Sequence, residues 1–173
     1  MGLYLTILMG FYLMVFDVDK APKTKTEFLQ WYKEVTDWKE GDMYDDITIS
    51  TTPIQEWFYE MIKTYPPMNG KFSPTDEELD EIEGLEERMT DYSIGDSFIY
   101  MEFAWSVADK AYDAAVKTAF NSGLGVFYLG TSEEDMMIIL PDNTLMTDPK
   151  PQNEVPSKKS LWDKVKQLFC KQK

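Results

Sequence analysis

The run MGLYLTILMGFYLMVF at residues 1–16 contains no charged side chain, and it decides the fold. A secretory signal begins with positive charge and ends at a cleavage site of small residues, and this run has neither feature. A membrane helix needs about 20 apolar residues, whereas Asp17 and Asp19 end this run too early. Its content of Tyr, Phe, Leu and Ile predicts a buried β-strand with an apolar extension. An N-myristoylation pattern at residues 1–6 is the weaker alternative.

Helix start signals follow this strand at four places. A Ser or Thr with an acidic or amide residue three positions later is typical of a capping box, and such pairs begin at Thr24, Thr52, Thr75 and Ser106. Apolar residues spaced three or four positions apart follow each signal, which predicts four amphipathic helices. The helix after Thr75 has the weakest pattern. Gly123 is a natural terminator of the last helix.

Three further segments have the composition of strands: residues 98–105, 125–129 and 136–140. Residues 130–135 predict a hairpin between the last two. The element order is then β-α-α-(α)-β-α-β-β. We therefore predict an α+β fold, in which helices cover one face of a three- to four-stranded sheet.

The composition changes beyond Leu140, so we predict a single domain over residues 1–140. Residues 141–157 contain four prolines and few apolar groups, which indicates a linker. Residues 158–173 combine apolar residues at helical spacing with lysines, which predicts a basic amphipathic tail helix. Such a helix could contact a membrane surface through anionic lipid, or it could dock on the acidic domain. The sequence favours neither alternative.

The formal net charge of −14 is unevenly distributed. Residues 158–173 contain six Lys and one Asp, a charge of +5, which leaves −19 on residues 1–157. Nucleic acid would be repelled by such a domain, because phosphate binding needs a basic surface. A cationic protein would be attracted to it and would associate faster at low salt. Alternatively, the negative charge serves only to keep the protein soluble, and the sequence supports this explanation equally well.

Histidine is absent, and Cys170 is the only cysteine. A Ser-His-Asp triad, a Cys-His dyad and a His-ligated zinc or haem site are therefore excluded. A single cysteine also excludes an intramolecular disulfide framework and is typical of a reducing compartment, so we expect a cytoplasmic protein. We predict no enzymatic activity, no metal and no organic cofactor.

Two acidic runs, the first with aromatic residues beside it, are the candidate partner-binding regions. The candidate residues are Trp38, Tyr44, Asp45, Asp46, Asp76, Glu77, Glu78 and Glu81. The acids would steer a basic partner, and the aromatic side chains would supply buried contact. An exposed, solvated helix face is the simpler explanation of the second run.

Other ligands are possible at two places. Glu40 and Asp42 extend the first acidic run into a loop whose oxygen atoms would suit Ca²⁺. The loop lacks the regular alternation and the glycine position of an EF-hand, so a solvated turn is favoured. Residues 91–93, Asp-Tyr-Ser, could position a ligand, or they could equally form a turn before the next strand.

Several strings of the sequence resemble a family of small bacterial proteins. They include FYLMVFD at 11–17, YDD at 44–46, PPMNG at 66–70, TDYSIG at 90–95 and FAWS at 103–106. The resemblance spans roughly residues 9–140 and leaves residues 1–8 and 141–173 outside it. Members of the family resemble the acidic immunity proteins, or antitoxins, that accompany secreted bacterial toxins.

The resemblance implies a non-catalytic inhibitor that neutralises a cognate toxin by protein–protein binding. A small-ligand-binding domain or a histidine-free enzyme that uses Asp, Tyr and Lys is the alternative. A deep pocket with converging buried carboxylates would favour that alternative.

Overall fold

Five strands form one antiparallel sheet in the residues that this computed structural model describes, which are 10–39, 44–130, 132 and 135–149. The strands are β1 (Gly10–Asp17), β2 (Asp91–Ile94), β3 (Phe98–Ala104), β4 (Leu124–Tyr128) and β5 (Met137–Ile139). Their order across the sheet is β2-β3-β1-β4-β5. Residues 10–16 of the uncharged run therefore belong to the central strand, and the expected apolar extension at residues 1–9 lies outside the described residues.

Five α-helices accompany the sheet in the same part of the chain. They are α1 (Lys25–Val35), α2 (Thr52–Met61), α3 (Asp76–Glu81), α4 (Leu85–Arg88) and α5 (Ala108–Asn121). The α+β class is thus confirmed, while the predicted strand number was too low. None of these helices combines the length and the apolar character that a membrane span requires.

The helix starts follow the capping signals in two of four cases. The Thr24 hydroxyl accepts the Glu27 N–H at the start of α1, and Thr75 forms a capping box with Glu78 at the start of α3. At α2 the N-cap is Thr51, and no side chain forms a capping bond. The prediction for Ser106 was wrong, because a short 3₁₀ turn over Trp105–Val107 precedes α5.

The two sheet faces alternate along β1, since successive side chains of a strand point in opposite directions. Phe11, Leu13 and Val15 belong to the core on the first face. Met14 and Phe16 belong to a second core on the other face. Because β1 is apolar on both sides, both faces need cover.

Helices α2 and α5 cover the first face. The small side chains Ala111, Ala115 and Ala119 lie buried along α5, which lets this helix approach closely. Trp57 of α2 is completely buried, and its indole N–H donates to the Ala115 carbonyl oxygen at 3.0 Å. The bond satisfies the one polar group of a large buried side chain.

Helix α1 lies on the second face. Phe28 of α1 is completely buried, and its ring centroid lies 4.6 Å from that of Phe16 and 5.3 Å from that of Phe127. The prediction that helices cover one face was therefore wrong. The physical reason is the apolar character of β1 at even as well as odd positions.

Two local predictions also need correction. Strand β2 follows the buried Thr90 in a segment that was equally compatible with a turn, because only Tyr92 and Ile94 point into the core. The single helix predicted after Thr75 is divided into α3 and α4. Gly84 adopts a left-handed conformation with φ of +70° between the two helices, and α4 begins after it.

Residues 141–149 return to the domain, although a linker was expected from residue 141. The Met146 N–H donates to the Ile138 carbonyl oxygen at 2.8 Å, and the Met146 side chain is buried in the second-face core. The Asp148 carboxylate accepts the Thr26 N–H and hydroxyl, both at 2.8 Å, at the first turn of α1. Contacts of the domain thus extend to Asp148. The rest of the expected linker and the predicted tail helix lie outside the described residues.

Candidate protein-binding surface

The second face carries polar and aromatic side chains at the end of the sheet near β2. The register places Tyr12 beside Glu102, and Glu102 beside Asp91, in one row across β1, β3 and β2. In the next row Tyr100 lies beside Ser93. Tyr12, Tyr100 and Glu102 are half-buried, and Asp91 is exposed. This part of the face is therefore partly open to solvent.

Four aromatic rings form a continuous patch there, which we call the aromatic surface: Tyr12, Trp38, Tyr44 and Tyr100. The ring centroids of Tyr12 and Tyr100 lie 5.9 Å apart, and those of Tyr100 and Trp38 lie 6.1 Å apart. Trp38 and Tyr44 pack edge to face at 4.6 Å. The Trp38 side chain remains 39% exposed. Large rings that are already ordered but partly exposed suit contact with a partner.

The electrostatic environment of this surface is acidic. Burial, a hydrogen bond to the Glu102 carboxylate and the nearby Asp91 charge together raise the pKa of Tyr12 to about 12. The pKa of Tyr100 is also raised, first by burial and then by neighbouring Tyr and carboxyl groups that include Glu102 and Asp91. No Lys or Arg among the described residues offsets these carboxylates at either hydroxyl. The surface would therefore attract positive charge.

Gly10 makes room for the acidic group nearest to the aromatic surface. A Cβ atom at Gly10 would overlap with the Glu102 carboxylate, which lies across the glycine backbone. A larger residue at position 10 would displace Glu102, which accepts a hydrogen bond from Tyr12. The glycine thus helps to position this carboxylate.

The segment from Tyr44 to Ile47 crosses the edge of β2 from one sheet face to the other. The Tyr44 ring packs on the second face, and its carbonyl oxygen accepts the Ile94 N–H at 2.7 Å. Ile47 is buried in the core of the first face. Asp45 and Asp46 lie between them and are exposed.

The two aspartates differ in their bonding. The Asp46 carboxylate accepts the Thr48 hydroxyl at 2.7 Å and the Thr48 N–H at 2.9 Å, and these bonds lower the pKa of Asp46. The Asp45 carboxylate has no hydrogen-bond or ion-pair partner among the described residues. Asp46 therefore caps a turn, and Asp45 is free to pair with another molecule.

A cavity of about 270 Å³, which we call the edge pocket, lies next to these aspartates. Its walls come from residues 45–48, from Phe58 and Tyr59 of α2, from Pro67 and residues 69–72, and from Tyr92 and Ile94 of β2. The segments 44–46, 66–70 and 90–95, which are distant in sequence, meet around this pocket. Hydrogen bonds between Thr90 and the 66–68 segment hold the last two together.

The structure brings together half of the residues predicted from the sequence. Trp38, Tyr44, Asp45 and Asp46 are contiguous at the β2 edge. The other four lie on α3, a short helix without a buried residue: Asp76, Glu77, Glu78 and Glu81. The Glu78 carboxylate accepts the Thr75 N–H at 2.9 Å, so it also caps its own helix.

Sequence reasoning missed three residues of the surface, Tyr12, Tyr100 and Glu102, and it named Asp91 only as part of a possible ligand site at residues 91–93. The sequence signal that these residues share is strand position, since Tyr12, Tyr100 and Glu102 occupy even-numbered positions of the strands predicted at 1–16 and 98–105. Alternation places those side chains on one face. Only the register between strands far apart in the sequence makes them neighbours.

Other places in the described structure are weaker candidates for a functional site. A groove of about 540 Å³ between α2 and α5 is lined by exposed polar side chains such as Glu56, Lys117 and Asn121. Within the described ranges, no three metal-ligating side chains come together. Glu40 and Asp42 of the Ca²⁺ alternative lie outside those ranges.

Comparisons of the chain with protein-family models, curated proteins and solved structures found no match.

Proposed function

We propose that the protein is a non-catalytic inhibitor that binds a cationic protein, a cognate bacterial toxin, through the aromatic surface and the carboxylates around it. The main support is the continuous patch of Tyr12, Trp38, Tyr44 and Tyr100 beside acidic side chains. Protein interfaces are enriched in aromatic residues at their centre, and such residues contribute most of the binding energy.

The charges around the patch support a cationic partner. The one ion pair between two described residues joins Glu60 of α2 to Lys63, just beyond the end of that helix, at 2.5 Å, and both side chains are exposed. The carboxylates of Asp45, Asp91 and Glu102 are therefore not neutralised by ion pairs within the described part of the chain. Such groups accelerate encounter with a positive protein and set its orientation.

An inhibitor of this kind requires high affinity and a moderate contact area. Nanomolar binding corresponds to about −12 kcal/mol, and an interface of about 1,600 Å² is sufficient for it. The aromatic surface supplies ordered rings, so little side-chain entropy is lost on binding. The edge of β2 extends the same surface towards Asp45 and Asp46.

The identity of the partner as a toxin depends on the resemblance to small acidic immunity proteins. A protective protein acts in the compartment where the toxin does its damage. The single cysteine suits a reducing compartment, so we place this function in the cytoplasm.

Co-expression with the products of the neighbouring genes tests the proposal. Each product is expressed alone and together with this protein, and growth is measured. We expect one neighbour to be toxic alone, to be tolerated in the presence of this protein and to co-purify with it. If no neighbour is toxic, or a toxic neighbour is neither bound nor relieved, the proposal is wrong.

A further inference from the structure

Strand β2 is an edge strand, and its outward backbone groups are only partly covered. The Gly95 N–H donates to the Phe98 carbonyl oxygen at 2.9 Å where β2 turns into β3. Hydrogen bonding in an antiparallel pair alternates from residue to residue. Ser93 and Asp91 therefore bond to β3, whereas Ile94, Tyr92 and Thr90 direct their N–H and C=O groups outward.

Two segments cover the ends of this edge, and no other described residue forms a hydrogen bond to its centre. The Ile94 N–H donates to Tyr44, as described above. The Thr90 N–H donates to the Pro66 carbonyl oxygen, and the Thr90 carbonyl oxygen accepts the Met68 N–H, both at 2.9 Å. The N–H and C=O of Tyr92 have no hydrogen bond to any described residue, although Tyr92 is only 9% exposed.

This open residue lies in the wall of the edge pocket. Unpaired groups on an edge strand are a template for another strand. The distance from Thr90 to Ile94 along a strand is about 13 Å, which leaves room for a short extended segment between the two covers. The pocket of about 270 Å³ is smaller than the roughly 300–1,000 Å³ of small-molecule sites, so it suits a single side chain.

The chemistry of the pocket favours a basic side chain. Tyr59 and Phe72 form an aromatic wall, with centroids 5.9 Å apart and planes at 80°. The Lys71 ammonium lies 5.2 Å from the centre of the Phe72 ring, so this wall already accepts a cation of its own chain. The unpaired Asp45 carboxylate supplies the opposite charge.

We propose that the edge pocket binds one Lys or Arg residue within an extended segment of the cationic partner. The backbone of that residue pairs with the N–H and C=O of Tyr92, as in strand addition to a sheet edge. Its side chain enters between the Tyr59–Phe72 wall and Asp45. The nature of the partner rests on the proposed function, but the pocket can be tested without the partner.

The test uses two synthetic peptides that are short enough for the gap, acetyl-Val-Arg-Val-amide and the same peptide with neutral citrulline in place of Arg. Binding is followed by amide NMR and by hydrogen exchange of the Tyr92 N–H. We expect the Arg peptide to bind about tenfold more tightly than the citrulline peptide, since a charge-assisted contact is lost. We also expect the Arg peptide to slow exchange of the Tyr92 N–H.

Three variants sharpen the test. Asp45→Asn should lower the affinity for the Arg peptide about tenfold. Lys71→Met should raise this affinity, because a competing cation is removed. The matched control Asp109→Asn changes an exposed acid at the first turn of α5 and should leave binding unchanged.

Equal binding of the two peptides, or binding without slower exchange at Tyr92, would overturn this inference, and so would the absence of binding. If the peptide binds as described but no neighbouring gene product is toxic, the proposed function is wrong and the inference about the edge pocket is supported. If a toxin is bound with unchanged affinity by Asp45→Asn, the pocket inference fails and the proposed function stands.

Discussion

The two faces of the central sheet differ in how completely they are covered. On the first face α2 and α5 bury every large side chain of β1, β3 and β4. On the second face α1 buries Phe16 and Phe127 but leaves Tyr12 and Tyr100 half-exposed. Strand β1 contributes to both. One strand thus supplies the first core with its odd residues, while its even residues supply both a second core, with Met14 and Phe16, and the partly exposed Tyr12 of the aromatic surface.

The largest expected effect is on the free energy of unfolding, and it appears when one tryptophan from each face of the sheet is replaced. Trp57→Ala should lower the free energy of unfolding by about 3–5 kcal/mol, because it opens a cavity in the first-face core. Trp38→Ala should cost less than about 1 kcal/mol, since an exposed side chain contributes little to stability. Urea denaturation of both variants measures this. A comparable loss of stability in the two variants would contradict the assignment of Trp57 to the core and of Trp38 to the exposed aromatic surface.

A shortened chain tests the cover of the second face. A chain that ends at Leu140 loses the buried Met146 and the bonds of Asp148 to α1, so unfolding should become easier by about 2–5 kcal/mol. A chain that ends at Pro149 keeps both and is the control. Thermal and urea denaturation compare the two chains. If they prove equally stable, residues 141–149 are a linker after all.

The free energy of unfolding should fall at high pH. The native state holds the proton of Tyr12 up to a pKa of about 12, while an unfolded chain releases it near pH 10. The stabilisation is complete below pH 10 and is lost as the pH rises from 10 towards 12. The pKa of Tyr100 is raised as well, so Tyr100→Phe should make the decline shallower. Urea denaturation at a series of pH values measures this decline, and a free energy of unfolding that is independent of pH above 10 would contradict the raised pKa of Tyr12.

The smallest effect concerns association rates. Glu102→Gln and Asp91→Asn should each slow binding of the cationic partner several-fold at low salt and flatten its salt dependence, because a steering charge is removed. Stopped-flow association at several salt concentrations measures this. Asp109→Asn on α5 is the control. Identical salt slopes in all three variants would show that the charges near Tyr12 do not guide the partner.

Prediction from the sequence succeeds where the signal is local. The apolar run before Asp17 predicts β1, and Thr24 predicts the start of α1. Trp38, Tyr44, Asp45 and Asp46 are close in the sequence and lie side by side in the structure, while their role in partner binding stays a prediction. Failures have a different origin.

Features that depend on tertiary structure were not predicted. Glu102 and Tyr12 become neighbours only through strand register across 90 positions of sequence. Strand β2 is short and lacks a long apolar pattern, and the segments 44–46 and 66–68, which are distant in sequence, bond to the two ends of its edge. The role of Asp46 as a capping group was likewise not predicted, whereas the capping box of Thr75 and Glu78 was predicted and is present.

The central claim is that the aromatic surface binds the partner, and Trp38 tests it most directly. Trp105 is the matched control, since both side chains are 39% exposed and Trp105 packs on Phe11 of the first face. Calorimetric titration of the partner should show that Trp38→Ala weakens binding by about 2 kcal/mol or more, roughly 30-fold, as for a hot-spot residue. Trp105→Ala should bind as the unchanged protein does. Equal affinities for Trp38→Ala and the unchanged protein would contradict the account.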